Sequence, residues 1–210
     1  ADAVAAAREA DAVLFFGGLN KAGNQDCESS DRLHLELPYA QDKVIEALAD
    51  ANPNMVVVIV SGNAVAMPWI GKVNTVVEAW YSGSQAGHAI ADVLFGKVNP
   101  SGKLPFTFPV KLEDNGAHAM GAYQPGDLSV EYKEGLYVGY RWADKHDVEP
   151  LFPFGHGMSY TDFTYGKAKC RKTSVKAGAV VKVSVDVTNS GDVAGKEVVQ
   201  LYIGEEESAL

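Results

Sequence analysis

The residues best placed to do chemistry lie between Gly17 and Pro38, in the stretch GGLNKAGNQDCESSDRLHLELP. Asp26 and Glu28 flank Cys27, and the pair Asp31-Arg32 follows. Neighbouring carboxyl groups suit general acid–base work, in which one group gives a proton and its surroundings hold that proton in place until it is needed. The plainer alternative is a solvated acidic loop. The stretch leaves an apolar run, Ala12 to Phe16, that reads as a buried strand, and it ends before a helix. Loops at strand ends, held by a rigid sheet, are where reactive side chains concentrate.

The elements that must position this loop alternate. Ala1 to Ala10 reads as the tail of an Ala-rich helix, and Ala12 to Phe16 as a strand. A helix is expected from about Pro38 to Ala51, with Val44, Ile45 and Leu48 on one face. Met55 to Val60 is a continuous β-branched run, the mark of a parallel strand buried on both faces. Asn74 to Tyr81 holds another strand, and Ser84 to Phe95 a helix with Ala89, Ile90, Val93 and Leu94 inward and Gly96 as its cap. Strand, helix, strand, strand, helix predicts an α/β domain with a mainly parallel sheet flanked by helices, over residues 1–110.

Beyond Asn99 the texture changes to turns and extended pieces. Residues 111–158 form a connecting segment: an irregular stretch from Lys111 to Gly126 suits a surface or binding loop, and Val130 to Trp142 reads as extended. From about 159 to 210 the pattern switches to period two, with Val181, Val183, Val185 and Val187 alternating with polar neighbours and a turn at Asn189 to Asp192. That is β-sandwich patterning, yet only about three strands fit where such a module has roughly seven, so an incomplete all-β sandwich is expected.

Composition excludes several functions. The chain has 210 residues and a net charge of −9, with no run of Lys or Arg, which argues against nucleic acid or an anionic membrane surface as partner. No stretch approaches the roughly 20 apolar residues of a membrane-spanning helix. The two cysteines, Cys27 and Cys170, lie far apart and are expected as free thiols. The five histidines show no metal-ligand spacing, and neither a Walker loop nor a G-x-G-x-x-G fingerprint occurs, so no metal and no cofactor are expected. Ser61-Gly62-Asn63 lacks the Gly-x-Ser-x-Gly frame of a nucleophile elbow. An opening without Met or helix start signal and an acidic, abrupt end give the sequence the marks of a fragment.

Three blocks together resemble glycoside hydrolase family 3, the β-glucosidase type. Gly18-Leu19-Asn20 leading to Asp26-Cys27-Glu28-Ser29-Ser30-Asp31-Arg32 is similar to the family's G-L-N followed by E-x-E-x-x-D-R. Ala79-Trp80-Tyr81 with Gly87, and Ala91 to Gly96, run into Asn99-Pro100-Ser101-Gly102-Lys103-Leu104-Pro105. Glu134 to Arg141 and Phe154 to Tyr160 complete the set. The resemblance implies a domain order of barrel, α/β sandwich and fibronectin type III-like module, of which this chain would hold the later part of the sandwich and the start of the module.

The resemblance also implies a retaining, exo-acting β-glycosidase, whose two carboxyl groups stand about 5–5.5 Å apart. The nucleophile would be an aspartate of the barrel, outside this sequence. The acid/base position falls on Glu28, with Asp26, Asp31, Arg32 and His118 as binding or supporting residues. Asp26 stands where the family more often has Glu, which leaves its role open and makes it the second candidate donor. Asp31 and Arg32 are expected to form an ion pair that fixes the loop. His118 and Met120 are candidates for an outer subsite, and Trp69 and Trp142 for stacking on sugar, whereas Trp80 reads as core. The implied partners are a β-linked oligosaccharide and the barrel of the same polypeptide, with a homodimer as one assembly and a periplasmic or secreted location. A non-catalytic carbohydrate-binding or scaffolding domain, β-xylosidase-type specificity and an unrelated flavodoxin-like domain are the alternatives.

Overall fold

The computed structural model describes residues 2–123, 128–172 and 174–204. Helix α1 spans Asp2–Glu9, strand β1 Val13–Gly18, helix α2 Gln41–Ala51, strand β2 Met55–Val60, strand β3 Thr75–Glu78 and helix α3 Ala86–Leu94. The three strands pair in parallel in the order β1-β2-β3, with Val13 opposite Met55 and Val56 opposite Thr75. Such pairing is the α/β arrangement expected from the alternation of elements. β2 is central, and Val57, Val58 and Ile59 are fully buried, which is why its sequence is apolar without alternation.

Helix α2 begins three residues later than Pro38. Tyr39 and Ala40 adopt left-handed backbone conformations that an L-residue takes up only under local constraint, so the helix cannot run back through them. The constraint is a side-chain bracket: Gln41 accepts from Gly18 N at 2.8 Å and donates to the Gly18 carbonyl at 2.9 Å. The buried face of α2 is Ile45, Leu48 and Ala49, while Val44 is exposed. Trp69 is fully buried and donates to Asp42 at 2.7 Å, so it packs in the core instead of facing a sugar.

Helix α3 has no fully buried residue, and Ala89, expected inward, is exposed. Ile90, Val93 and Leu94 are only half-buried, and Phe95, just after the helix, is exposed. β1 likewise leaves Leu14 and Phe16 exposed, at 47 % and 55 %.

The connecting segment contains helices α4, Gly116–Ala119, and α5, Tyr140–His146. Asn115 caps α4 by accepting from Ala117 N at 3.1 Å. The extended chain expected from Val130 to Trp142 does not run through: Gly139, at φ 65, reverses the chain and α5 starts there, burying Trp142. The Val and Tyr alternation meets no partner strand in this segment, and an unpaired strand has nothing to hold it. Residues 124–127, within the expected Lys111 to Gly126 loop, lie outside the described residues. Residues 104–108 instead pair with 152–156, through Leu104 N to the His156 carbonyl at 2.7 Å and Phe108 N to the Phe152 carbonyl at 2.8 Å.

The last section holds short strands β4 (Phe163–Tyr165), β5 (Lys169–Cys170), β6 (Val183–Ser184) and β7 (Val187–Asn189). β4 pairs with β7 and β5 with β6, both antiparallel, and every residue of β5, β6 and β7 is exposed.

Candidate functional site

The acidic loop is zipped along the chain that leaves β2. Leu19 N donates to the Val60 carbonyl at 2.9 Å, Gly62 N to the Asp26 carboxylate at 2.5 Å, Arg32 to the Ala64 carbonyl at 2.9 Å, and Ala66 N to the Leu35 carbonyl at 2.8 Å. The anchors fall on residues 60, 62, 64 and 66.

Within the loop, Asn20 and Gln25 form the scaffold. Asp26 N donates to the Asn20 carbonyl at 3.0 Å, and the buried Gln25 side chain accepts from Asn20 N and donates to the Tyr39 hydroxyl. Cys27 and Ser30 bridge across a tight turn in which Ser29 is left-handed. Glu28 stands exposed on that turn. Its two flanks are clamped, by Asp26 on one side and Arg32 on the other.

Arg32 is not paired with Asp31. Its guanidinium donates to the carbonyls of Ala64, Leu35 and His34 at 2.9, 3.1 and 3.3 Å. A planar fork reaching three carbonyls converging on it fixes a loop better than one surface ion pair, worth about 0–1 kcal/mol. Burial lowers the Arg32 pKa, while Asp26 pulls it back up. Asp31 is exposed and turns the other way, toward Tyr123, whose hydroxyl is pushed up first by burial and then by that carboxylate.

Tyr123 links this loop to the connecting segment. Its ring lies 4.8 Å from that of His118, the outer-subsite candidate. Asp31, Tyr123 and His118 therefore form a row, with Met120 exposed nearby in sequence. The His118 Nδ1, the Trp142 indole N–H and one Glu134 carboxylate oxygen are buried without a hydrogen-bond partner in the described residues. Trp142 and Glu134 line a cavity of about 130 Å³ between α4 and α5. Trp142 is thus enclosed and does not offer a stacking face.

Three residues that sequence analysis passed over complete the site. Glu78 ends β3, and its carboxylate accepts from Trp80 N at 3.0 Å and from the Ser61 hydroxyl at 3.3 Å. Burial pushes the Glu78 carboxyl up to about 7; hydrogen bonds from Trp80 and Ser61 oppose the rise, and the charge of Asp26 adds to it. The Tyr81 hydroxyl donates to Asp26 at 2.8 Å. Gly62 packs beneath both, and a Cβ there would meet Tyr81 at 2.9 Å and Asp26 at 3.1 Å. The available signal was a charged residue, Glu78, closing an otherwise apolar strand. All of these groups gather at the carboxyl ends of β1, β2 and β3, where open parallel sheets place their functional loops. Trp80 itself packs edge-on against Phe106 and Phe108, a core role. Cys27 and Cys170 are free thiols. Among the described residues no three His, Cys, Asp or Glu side chains cluster as a metal site, and no helix is long and apolar enough to cross a membrane.

The loop and its sheet match one family throughout. The model described as the glycosyl hydrolase family 3 C-terminal domain matches residues 1–160, and the chain belongs to that family. Beta-glucosidase BoGH3A of Bacteroides ovatus is 56 % identical over 211 residues, covering 100 % of this chain and 28 % of that protein. Thermostable beta-glucosidase B of Acetivibrio thermocellus is 47 % identical, again over 100 % of this chain and 27 % of its own length. Among solved structures, DesR, a beta-glucosidase from Streptomyces venezuelae in complex with D-glucose, superposes with a TM-score of 0.82 at 43 % identity, over 90 % of this chain and 24 % of that one. The Bifidobacterium adolescentis GH3 beta-glucosidase gives 0.82 at 37 % identity, over 95 % and 30 %. The chain thus spans roughly a quarter of the length of these curated relatives.

Proposed function

We propose that this chain is the acid/base-bearing part of a retaining, exo-acting β-glucosidase, and that Glu28 is the acid/base. The observation that carries it is the exposed Glu28 carboxylate on the Cys27–Ser30 turn, held between the Asp26 and Arg32 clamps. A proton donor must be open to its substrate yet fixed in place, and this loop meets both needs. Glu28 protonates the leaving oxygen, then takes a proton from the water that attacks the glycosyl-enzyme intermediate. The nucleophilic aspartate lies on a barrel domain of the same polypeptide. The row Asp31, Tyr123 and His118 borders the sugar beyond the scissile bond.

The same reading divides the chain at 1–110, 111–158 and 159–210, the last being the start of a fibronectin type III-like module. The exposed apolar side chains of β1, Leu14 and Phe16, and Phe95 just after α3 are where the rest of the polypeptide packs. A homodimer and a periplasmic or secreted location belong to this reading through the family resemblance alone. That the relatives are beta-glucosidases supports glucose over xylose as the sugar released.

The test is kinetic, on the full-length parent with Glu28→Ala, using aryl β-glucosides with a good and a poor leaving group, with and without azide. We expect kcat on the poor substrate to fall by about 10²–10⁴-fold, the good substrate to accumulate intermediate, and azide to restore turnover. Wild-type behaviour on both substrates would remove Glu28 from the role. The isolated 210-residue chain should hydrolyse neither substrate, and tight binding of cello-oligosaccharides by it would favour a carbohydrate-binding module instead.

A further inference from the structure

We infer that Tyr81 is a positioning residue for the proposed acid/base Glu28, acting through Asp26. The inference rests on the reading of Glu28 given above. Its basis is a chain of contacts running from β3 to the Glu28 turn. Glu78, the last residue of β3, accepts the Trp80 N–H at 3.0 Å. That bond holds Trp80 in a left-handed conformation, φ 51, which a bulky aromatic residue adopts only when its surroundings impose it. The reversal at Trp80 sends the following side chain back over the sheet end. Tyr81 consequently places its hydroxyl 2.8 Å from Asp26 Oδ2.

Asp26 is next to the Cys27–Ser30 turn that displays Glu28. Its Oδ2 is shared between two donors, the Tyr81 hydroxyl and Gly62 N, fixing the carboxylate in two directions. Without the hydroxyl, one backbone donor would remain, and the carboxylate could pivot about it. Gly62 lets the tyrosine ring lie this close, because a side chain there would collide with both partners. Burial and then the Asp26 carboxylate push the Tyr81 hydroxyl up to about 12, so it stays a donor throughout the working range of a glycosidase. The far side of the turn is fixed separately by Arg32. Loss of the Asp26 clamp would therefore tilt the Glu28 turn without unfolding the loop. In the proposed arrangement the barrel holds the sugar at the nucleophile, so a tilt of this kind harms the proton transfer and leaves that hold unchanged. Asp26 thereby serves as a mechanical anchor, in place of the second proton donor that its position suggested.

The test uses the full-length parent with Tyr81→Phe, Asp26→Ala and Asp26→Asn, measured on the two aryl β-glucosides beside Glu28→Ala. Displacements near an ångström cost about 10²-fold, so Tyr81→Phe and Asp26→Ala should lose about 10- to 100-fold in kcat on the poor leaving group. The good leaving group, which needs little proton assistance, should lose less than about threefold, with KM changed by less than about twofold. Asp26→Asn keeps an oxygen for the Tyr81 hydroxyl and should recover most of the loss. Three results would overturn the proposal: Tyr81→Phe equal to wild type on the poor substrate, both substrates falling together, or a rise in KM as the main effect, which would make Tyr81 a substrate contact. Azide rescue of Asp26→Ala with none for Glu28→Ala would make Asp26 itself the donor and overturn it as well. Glu28→Ala behaving as wild type would sink the acid/base assignment, whatever Tyr81→Phe does.

Discussion

Glu78 and Arg32 show how much the loop's chemistry depends on individual residues that carry no reaction themselves. Glu78 is a carboxyl drawn into the end of an apolar strand, where burial favours its protonated form and lifts it to about 7. The folded state therefore holds this proton more tightly than the unfolded chain, whose glutamates titrate near about 4.3. Its contribution to stability is fully present below that ordinary value and is lost as pH rises toward 7. Glu78→Gln keeps an acceptor for Trp80 N but cannot ionise. The difference in melting temperature, variant minus wild type, should rise between pH 5 and pH 8, as thermal melts at both pH values will show. Arg32 carries the opposite lesson. Adjacent in sequence to Asp31, it spends its guanidinium on three backbone carbonyls, because exposed ion pairs repay little and carbonyls in a half-buried loop must be satisfied.

Asn99-Pro100-Ser101-Gly102-Lys103 is the element that joins the sheet domain to the segment beyond Ser159. The Asn99 carboxamide accepts from the Ser159 hydroxyl at 3.0 Å and Tyr160 N at 2.8 Å, and donates to the Ala194 carbonyl at 3.1 Å. Lys103 donates to the Gly157 carbonyl and lies 3.5 Å from Glu197, both side chains being largely enclosed. Asn99→Ala leaves these partners without their bonds. It should cost about 1–3 kcal/mol in urea unfolding, and amide exchange should quicken first in residues 159–195. On the other side of the sheet, Gly18 has φ +137, and a Cβ there would sit 2.0 Å from the Val60 carbonyl. Only glycine lets β1 turn into the acidic loop while remaining hydrogen-bonded to β2.

The whole chain exposes 14451 Å² for a mass of 22.4 kDa, against about 9,400 Å² for a compact folded protein of that size. The excess includes Phe16 on β1 and, at 78 % exposure, Phe95 just after α3. Large apolar side chains exposed to this degree mark a surface that needs covering. In the proposed arrangement the remainder of the polypeptide supplies the cover. Phe16→Gln should then lower the stability of the full-length parent by about 1.5–3 kcal/mol in thermal or urea unfolding. The same change in the isolated 210-residue chain should leave stability nearly unchanged and reduce binding of a hydrophobic dye. Equal destabilisation in both would mean that Phe16 is already buried within this chain.

Much of this protein was determined by sequence alone, where physics is local. β2 matches its β-branched run from Met55 to Val60 residue for residue, since burial on both faces leaves a continuous apolar signature. The acidic loop was legible too, because a Gly- and Asn-rich passage between strand and helix has few structured alternatives. The rest depended on contacts between distant residues. Tyr39 and Ala40 delay α2 because Gln41 must bracket Gly18. The extended segment expected at Val130 to Trp142 became turns and a helix, because among the described residues no partner strand lies beside it. Arg32 passed over its neighbour for Ala64, and Asp26 joined Gly62 and Tyr81, 36 and 55 residues away. Only the tertiary structure brings three strand ends to one place, and hydrogen bonds are won by proximity in space, which sequence spacing does not encode.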